Sequence, residues 1–274
     1  MKKTFSSKKS AFSLIELSIV LIIIGLLIAG ITGGASLIKS SELRSIMGEA
    51  RGYAVAVNSF FTQYDQYPGD ASIAVGASSQ GTGDRDNKIE FVNDNSSGTI
   101  HAEGVEAWYD LKDIGAIDLA LTMTSPGTFS APSALVPVTN IPGSKIKGAG
   151  WAFDYNISTL QNVVVLTGTT AAYSIASPGV AGSTSTLVNG LNYLPVGEAF
   201  ASRNASTEII SAPDALSIDS KIDDGKANSG NVQAVVQDQT VGNDCVATAT
   251  PETYKVSLGA KKVCAMAFRV DVSS

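Results

Sequence analysis

No charged side chain occurs between Leu17 and Ile38, and Glu16 and Lys39 bracket the run. As a helix its twenty-two residues rise about 33 Å, close to the hydrocarbon thickness of a bilayer. Beyond Lys39 the apolar positions become periodic. Leu43, Ile46, Met47, Ala50, Tyr53, Ala54, Val57, Phe60, Phe61 and Tyr64 recur at spacings of three and four, which is one face of a helix. Glu42, Arg44, Glu49, Arg51, Asn58 and Gln63 fall between them as the wet face. Pro68-Gly69 stops the pattern. One helix from about Phe12 to Tyr64 is therefore predicted, and its exported aromatic stripe requires a sheet to cover it.

From Tyr67 onward the pattern shortens. Asn162 to Thr167 is a β-branched run bounded by polar residues, and Asn231 to Thr240 contains the Val235-Val236 pair of a strand. Cys264, Met266, Phe268, Val270 and Val272 alternate with Lys262, Arg269 and Asp271, which predicts a half-buried strand. Gly259-Ala260-Lys261-Lys262 reads as its hairpin turn from Val256. Two short helices fit: Glu103 to Ile114, and one opened by Ser211-Ala212-Pro213-Asp214 and closed near Gly225. The fold class is α+β, with a long N-terminal helix on an antiparallel β-rich head over 67–274. Residues Gly115 to Asn204 carry long Ser/Thr/Pro/Gly stretches and read as a variable middle.

Composition adds limits. With 44% hydrophobic and 16% charged residues over 274 positions, a packed core is available. A single membrane-length run excludes a multi-span protein. A net charge of −6 argues against a nucleic-acid partner, whose phosphates demand a basic surface. Lys2, Lys3, Lys8 and Lys9 precede the span without an acid, which places that end in the cytoplasm and the remainder outside. Removing these four leaves 15 basic against 25 acidic residues, a net of −10, on the exported part.

A cleaved secretory signal would need a short apolar core and a small-x-small site; the run is long and Gly33-Gly34-Ala35 fits poorly. A plain signal anchor leaves Glu16 unexplained, since a carboxylate in a bilayer costs roughly 3 kcal/mol. Ala11-Phe12-Ser13-Leu14-Ile15-Glu16-Leu17, following a basic leader and preceding the span, resembles the N-terminus of type IV pilins and type II secretion pseudopilins. That resemblance implies a leader over 1–11, cut by a membrane prepilin peptidase between Ala11 and Phe12, and methylation of the new Phe12 amine. Ala11 stands where the family usually has glycine; alanine is the next smallest side chain, so cleavage is expected to survive at a lower rate. Residues 12–38 would be the transmembrane half of the helix and 39–66 its exported half.

In an assembled filament the Phe12 amine of one subunit can meet the Glu16 carboxylate of its neighbour. Breaking such a pair by removing one partner typically costs about 3–5 kcal/mol, so the pair would set subunit register. Glu16 also suits a helix N-terminus, where the macrodipole favours acids. Gly30 and Gly34 form a small-xxx-small pair, and Gly33 stands where the family often has proline, so a soft kink is expected. Tyr67-Pro68-Gly69-Asp70, Glu106-Ala107-Trp108 with Leu111, and Ile218 to Gly225 resemble a recurring subset of bacterial pilin-like proteins.

Cys245 and Cys264 are the two cysteines of an exported domain, which favours a disulfide. By resemblance it bounds the C-terminal loop common in pilins. Asp219 and Asp223 lie one helical turn apart, with Asp224 at a helix C-terminus that repels carboxylates. Calcium would resolve this, as would Lys221 and Lys226. Asp84-Arg85-Asp86-Asn87-Lys88 is a second candidate, weakened by the lysine at its fifth position. No phosphate loop, nucleophile elbow or His cluster occurs, and His101 reads as a surface residue.

The expected function is structural and non-enzymatic, with no required cofactor: a prepilin of the bacterial inner membrane, assembled into a pilus or secretion pseudopilus. Its partners would be the prepilin peptidase, other pilin or pseudopilin subunits and the inner-membrane assembly platform. A mature chain of 263 residues (274 less 11) suggests a minor subunit. The alternative is an anchored exported adhesin that uses the same signal as a tether.

Overall fold

A computed structural model describes residues 13–76, 81, 83–89, 93–94, 100–101, 103–119, 137–138, 141–156, 161–168, 209–235, 245–247 and 253–271. The processing pair Ala11 and Phe12 lies outside these residues. The chain divides into two compact units, Met1–Glu42 and Leu43–Ser274.

Helix α1 runs from Leu14 to Tyr64 and stays helical through Gly33 and Gly34. It ends where Asp65 adopts φ 54° and donates its N–H to Phe61 O at 2.8 Å. In the first unit α1 exposes every large apolar side chain from Leu14 to Ile38, by between 45% (Ile24) and 91% (Leu14). Among the described residues it is the one helix long and apolar enough to cross a membrane.

In the second unit the periodic face of α1 is covered, as its spacing requires. Leu43, Ile46, Ala50, Val57 and Phe60 are buried in the main core, and Met47, Tyr53, Ala54, Phe61 and Tyr64 pack against it. The cover is an antiparallel sheet. Short strands β1 (Asn93–Asp94) and β2 (Ile100–His101) pair before helix α2 (Glu103–Asp113). His101 is thus in a strand; its side chain is outside the description. Next come β3 (Ala149–Asn156) and β4 (Gln161–Gly168), then β5 (Ile210–Ser211), α3 (Ala212–Ile222) and β6 (Val232–Val235). The short β7 (Val246–Ala247) and β8 (Thr253–Tyr254) pair with each other, and β9 (Lys262–Arg269) follows.

The main sheet runs β3-β4-β9, with β5 and β6 both on the far side of β9. Its register explains the core. Phe153, Val164, Phe268 and Val232 form one row across the strands, and Trp151, Leu166, Met266 and Ala234 form the next. All eight side chains are buried in the cluster that receives α1. Tyr53 meets Trp108 and Trp151 edge-on, at 4.9 and 5.6 Å between ring centroids, a geometry that suits aromatic quadrupoles.

Four expectations need correction. The variable middle is not wholly an insertion, because residues 149–168 within it supply the β3–β4 hairpin of the main sheet. Strand β9 is buried on both faces, since Ala265 and Ala267 meet Val163 and Val165 in a second small cluster. Small outward side chains, not polar ones, occupy that face. The turn before β9 does not join it to Val256; Val256–Leu258 is a 3-10 turn, and Tyr254 pairs with Val246 instead. Finally, Glu49 is not on a wet face, as the next subsection shows. The strand expected over Asn231 to Thr240 is seen as β6, and its part after Val235 lies outside the described residues.

Candidate functional site

The N-terminal stem begins with a reciprocal cap. Ser13 N–H donates to Glu16 Oε2 at 2.8 Å, while Ile15 N–H donates to Ser13 Oγ at 3.3 Å. This is a capping box: two backbone donors orphaned at the helix start find side-chain oxygens. Glu16 is therefore anchored in the first turn, and its second oxygen has no partner among the described residues. The surrounding Leu14, Ile15 and Leu17 are 91%, 65% and 55% exposed. An acid held at the foot of an uncovered apolar rod suits contact with lipid or with other rods, and beyond Ser13 no described residue of this chain meets it.

Further along α1, Glu49 fixes the sheet-covered part of the helix to the strand and loop beside it. Its carboxylate accepts from Ser144 Oγ at 2.6 Å, Lys145 N at 3.0 Å and Trp151 Nε1 at 2.9 Å. Trp151 is fully buried, so this acceptor meets a donor that water does not reach. The amphipathic pattern placed Glu49 correctly on the helix but could not show that a loop arrives there.

The Tyr67-Pro68-Gly69-Asp70 segment seats on α2. Gly69 N–H donates to Asp110 Oδ2 at 2.7 Å, and Gly69 takes φ +84°. A Cβ there would lie 2.2 Å from Glu103 O, so the close approach needs glycine. Further along, Gly81 N–H donates to Glu106 Oε1 at 2.8 Å. Asp70 accepts Asp86 N–H and Asn87 N–H at 3.1 and 2.9 Å. Buried carboxylates thus gather the backbone N–H groups of Gly69, Gly81, Asp86 and Asn87. Burial pushes the Asp70 carboxyl up to about 7; the backbone N–H of Asn87 opposes this and the charges of Asp86 and Asp84 add to it.

Of the second calcium candidate, the structure keeps only Asp84 in an acidic group, with Asp70 and Glu103, their oxygens within 4.8 Å of one another. Lys88 turns its ammonium onto Asp86. The roles of Asp70, Glu103, Glu106 and Asp110 were missed in the sequence. The signal was the pair of family-like segments around Gly69 and Trp108, which carry the acids that meet in space.

Asp219, Asp223 and Asp224 do come together, their oxygens again within 4.8 Å. Ser211 caps α3 by accepting Asp214 N–H, as the capping pattern implied. Asp219 is buried at the other end, accepting Tyr254 O–H at 2.8 Å and Gly225 N–H at 3.1 Å. Asp224 accepts Ser229 O–H at 2.7 Å and Lys226 N–H at 2.8 Å, and Asp223 accepts the Asn231 N–H. The three carboxylates meet donors from their own loop and, at Asp219, from Tyr254 of β8 as well. Burial raises Asp219 to about 6, opposed by its Tyr254 and Gly225 hydrogen bonds.

Cys245 and Cys264 are joined, with Cα atoms 5.0 Å apart, tying the chain before β7 to the middle strand β9. Lys255 N–H donates to Cys245 O at 2.8 Å, closing a shorter loop inside it.

Stem, sheet-covered helix and disulfide define a pilin-like α+β fold. Residues 6–32 match the Prokaryotic N-terminal methylation motif, so the chain carries the signal of a type IV pilin-like prepilin. Among curated proteins and among solved structures, none matches this chain. The apolar N-terminal helix fits an inner-membrane prepilin, and the signal fits a precursor that meets a prepilin peptidase and other pilins.

Proposed function

We propose that this chain is a structural subunit of a pilus or secretion pseudopilus, cleaved after Ala11, methylated at Phe12 and polymerised through its stem. The observation that carries this reading is the coincidence of the methylation motif at 6–32 with an apolar helix that its own chain leaves uncovered from Leu14 to Ile38. A filament core of such helices supplies the cover once the subunit leaves lipid. Glu16 then has two tasks: one oxygen caps its own helix, and the other receives the Phe12 amine of the adjacent subunit. Burial and pairing inside such a filament would account for the acid being tolerated there. No catalytic step is required of the head, whose acids hold loops.

The test has two readouts. Mass spectrometry of the mature protein should find N-methylated Phe12; an intact Met1, or a terminus near Gly34, refutes prepilin processing. Glu16→Ala should be cleaved as wild type yet disappear from sheared filaments. Retention of the wild-type protein in the membrane fraction after shearing, with correct processing, would replace the filament with a tethered adhesin.

A further inference from the structure

We propose that Ser13 is a positioning residue for Glu16: its hydroxyl serves an orphan donor of the first turn and so keeps one Glu16 oxygen available to the adjacent subunit. The inference rests on the filament reading above and names the residue on which the availability of that acid depends. Ile15 N–H donates to Ser13 Oγ at 3.3 Å, and Ser13 N–H donates to Glu16 Oε2 at 2.8 Å. The helical ladder begins only at Leu17, whose N–H donates to Ser13 O at 3.2 Å. The N–H groups before it have no carbonyl of the helix to meet. Ser18 and Thr32, the next two hydroxyls along the stem, turn their protons onto Ile15 O at 2.9 Å and Ile28 O at 3.0 Å. Of the three, Ser13 is the one whose oxygen takes a backbone proton.

The apolar surroundings give this small bond its weight. Leu14, Ile15 and Leu17 are exposed, so the first turn is made for lipid or for other stems. Where water is excluded, a backbone N–H must find a partner in its own segment. Without the Ser13 hydroxyl, the strongest acceptor left in the first turn for Ile15 N–H is the Glu16 carboxylate. Glu16 would then close onto its own helix with both oxygens, and the neighbour's amine would meet a carboxylate already engaged. The charge would remain, but its free lone pairs would be spent. The same geometry explains why the acid is a glutamate. Glutamine can close a capping box but brings no charge. Aspartate brings the charge but is one methylene short of the reach back to Ser13 N–H.

The experiment uses the full-length chain in its assembling host. Sheared filaments are quantified against total processed, disulfide-bonded subunit, and mass spectrometry reads the cut and the methyl group at Phe12. Ser13→Ala should be processed as wild type and lower incorporation about fivefold, the factor that one lost N-cap represents. Ser13→Thr and Ser13→Val form the decisive pair, since they differ only in a hydroxyl against a methyl group. Thr should restore incorporation to within about twofold of wild type, and Val should remain as low as Ala. Equal incorporation of Thr and Val overturns the proposal, because shape and not the hydrogen bond would then matter. An uncut Ser13→Ala precursor also overturns it, by assigning Ser13 to the peptidase. Glu16→Ala in parallel separates this proposal from the reading beneath it. If Glu16→Ala blocks assembly while Ser13→Ala incorporates as wild type, the positioning role falls and the filament stands; if Glu16→Ala incorporates normally, the stem pairing itself falls.

Discussion

Replacing Glu49 by alanine removes the acceptor for three donors at once: Ser144 Oγ, Lys145 N and Trp151 Nε1. The first two lie near the surface and can turn to water. The indole N–H cannot, because Trp151 is fully buried beneath α1. A hydrogen bond to a charged acceptor contributes about 1.5–3 kcal/mol, and an orphaned buried donor costs about 1–3 kcal/mol. These overlap for the indole, and water compensates the other two, so the expected loss is about 4 kcal/mol. For a domain of this size that is a fall in melting temperature of roughly 8–16 °C. Glu49→Gln keeps one oxygen acceptor without the charge and should lose about half as much. Urea unfolding of the fragment from Leu43, followed by tryptophan fluorescence, suits the question because the chain has only Trp108 and Trp151, both in this core. A loss below about 1 kcal/mol for Glu49→Ala would show that the carboxylate is not what fixes the helix to the loop before β3.

Three further outcomes are expected. Asp70 and Asp219 titrate near 7 and 6 in the fold but near 3.8 in the unfolded chain, so between those values the native state holds protons the unfolded state has released. Stability should fall as pH rises from about 4 to about 7, a slope that Asp70→Asn flattens; a denaturation midpoint higher at pH 8 than at pH 5 contradicts it. Because the Asp219–Asp223–Asp224 carboxylates already meet donors from their own loop, millimolar calcium should move the melting temperature by less than about 1 °C. A rise of several degrees, abolished by Asp223→Asn, would assign an ion to them. Cys245→Ala with Cys264→Ala removes a cross-link spanning 19 positions and should cost about 3 kcal/mol in equilibrium unfolding; an unchanged midpoint would show that the Lys255–Cys245 backbone bond and the β9 ladder alone close this loop.

The helix was the most legible element because its information is local. Spacing alone named the side chains from Leu43 to Tyr64 that meet the sheet, and Pro68-Gly69 marked the stop. Helix α3 was equally plain, since Ser211 and Asp214 cap it with atoms three residues apart. Legibility failed where a residue's neighbour was distant in sequence. Glu49 reads as solvated until Ser144 and Trp151, about a hundred positions later, are brought beside it. Strand β3 was passed over among Gly- and Ser-rich segments, although Trp151, Phe153 and Tyr155 alternate in the manner of a strand face. The acids around Gly69 were seen singly, and only the turn of 68–70 onto α2 makes them one group.

Strand β9 has a consequence for biogenesis. It is paired by β4 on one side and by β5 and β6 on the other, and the disulfide is made to it. Residues 262–269 are therefore the keystone of the head, and they follow in the chain every strand that they join. Until they are made, the β3–β4 hairpin has no strand on its β4 side, and β5 and β6 have no ladder to join. A polypeptide stalled or truncated before β9 would carry the complete apolar helix but leave the main sheet without its central strand.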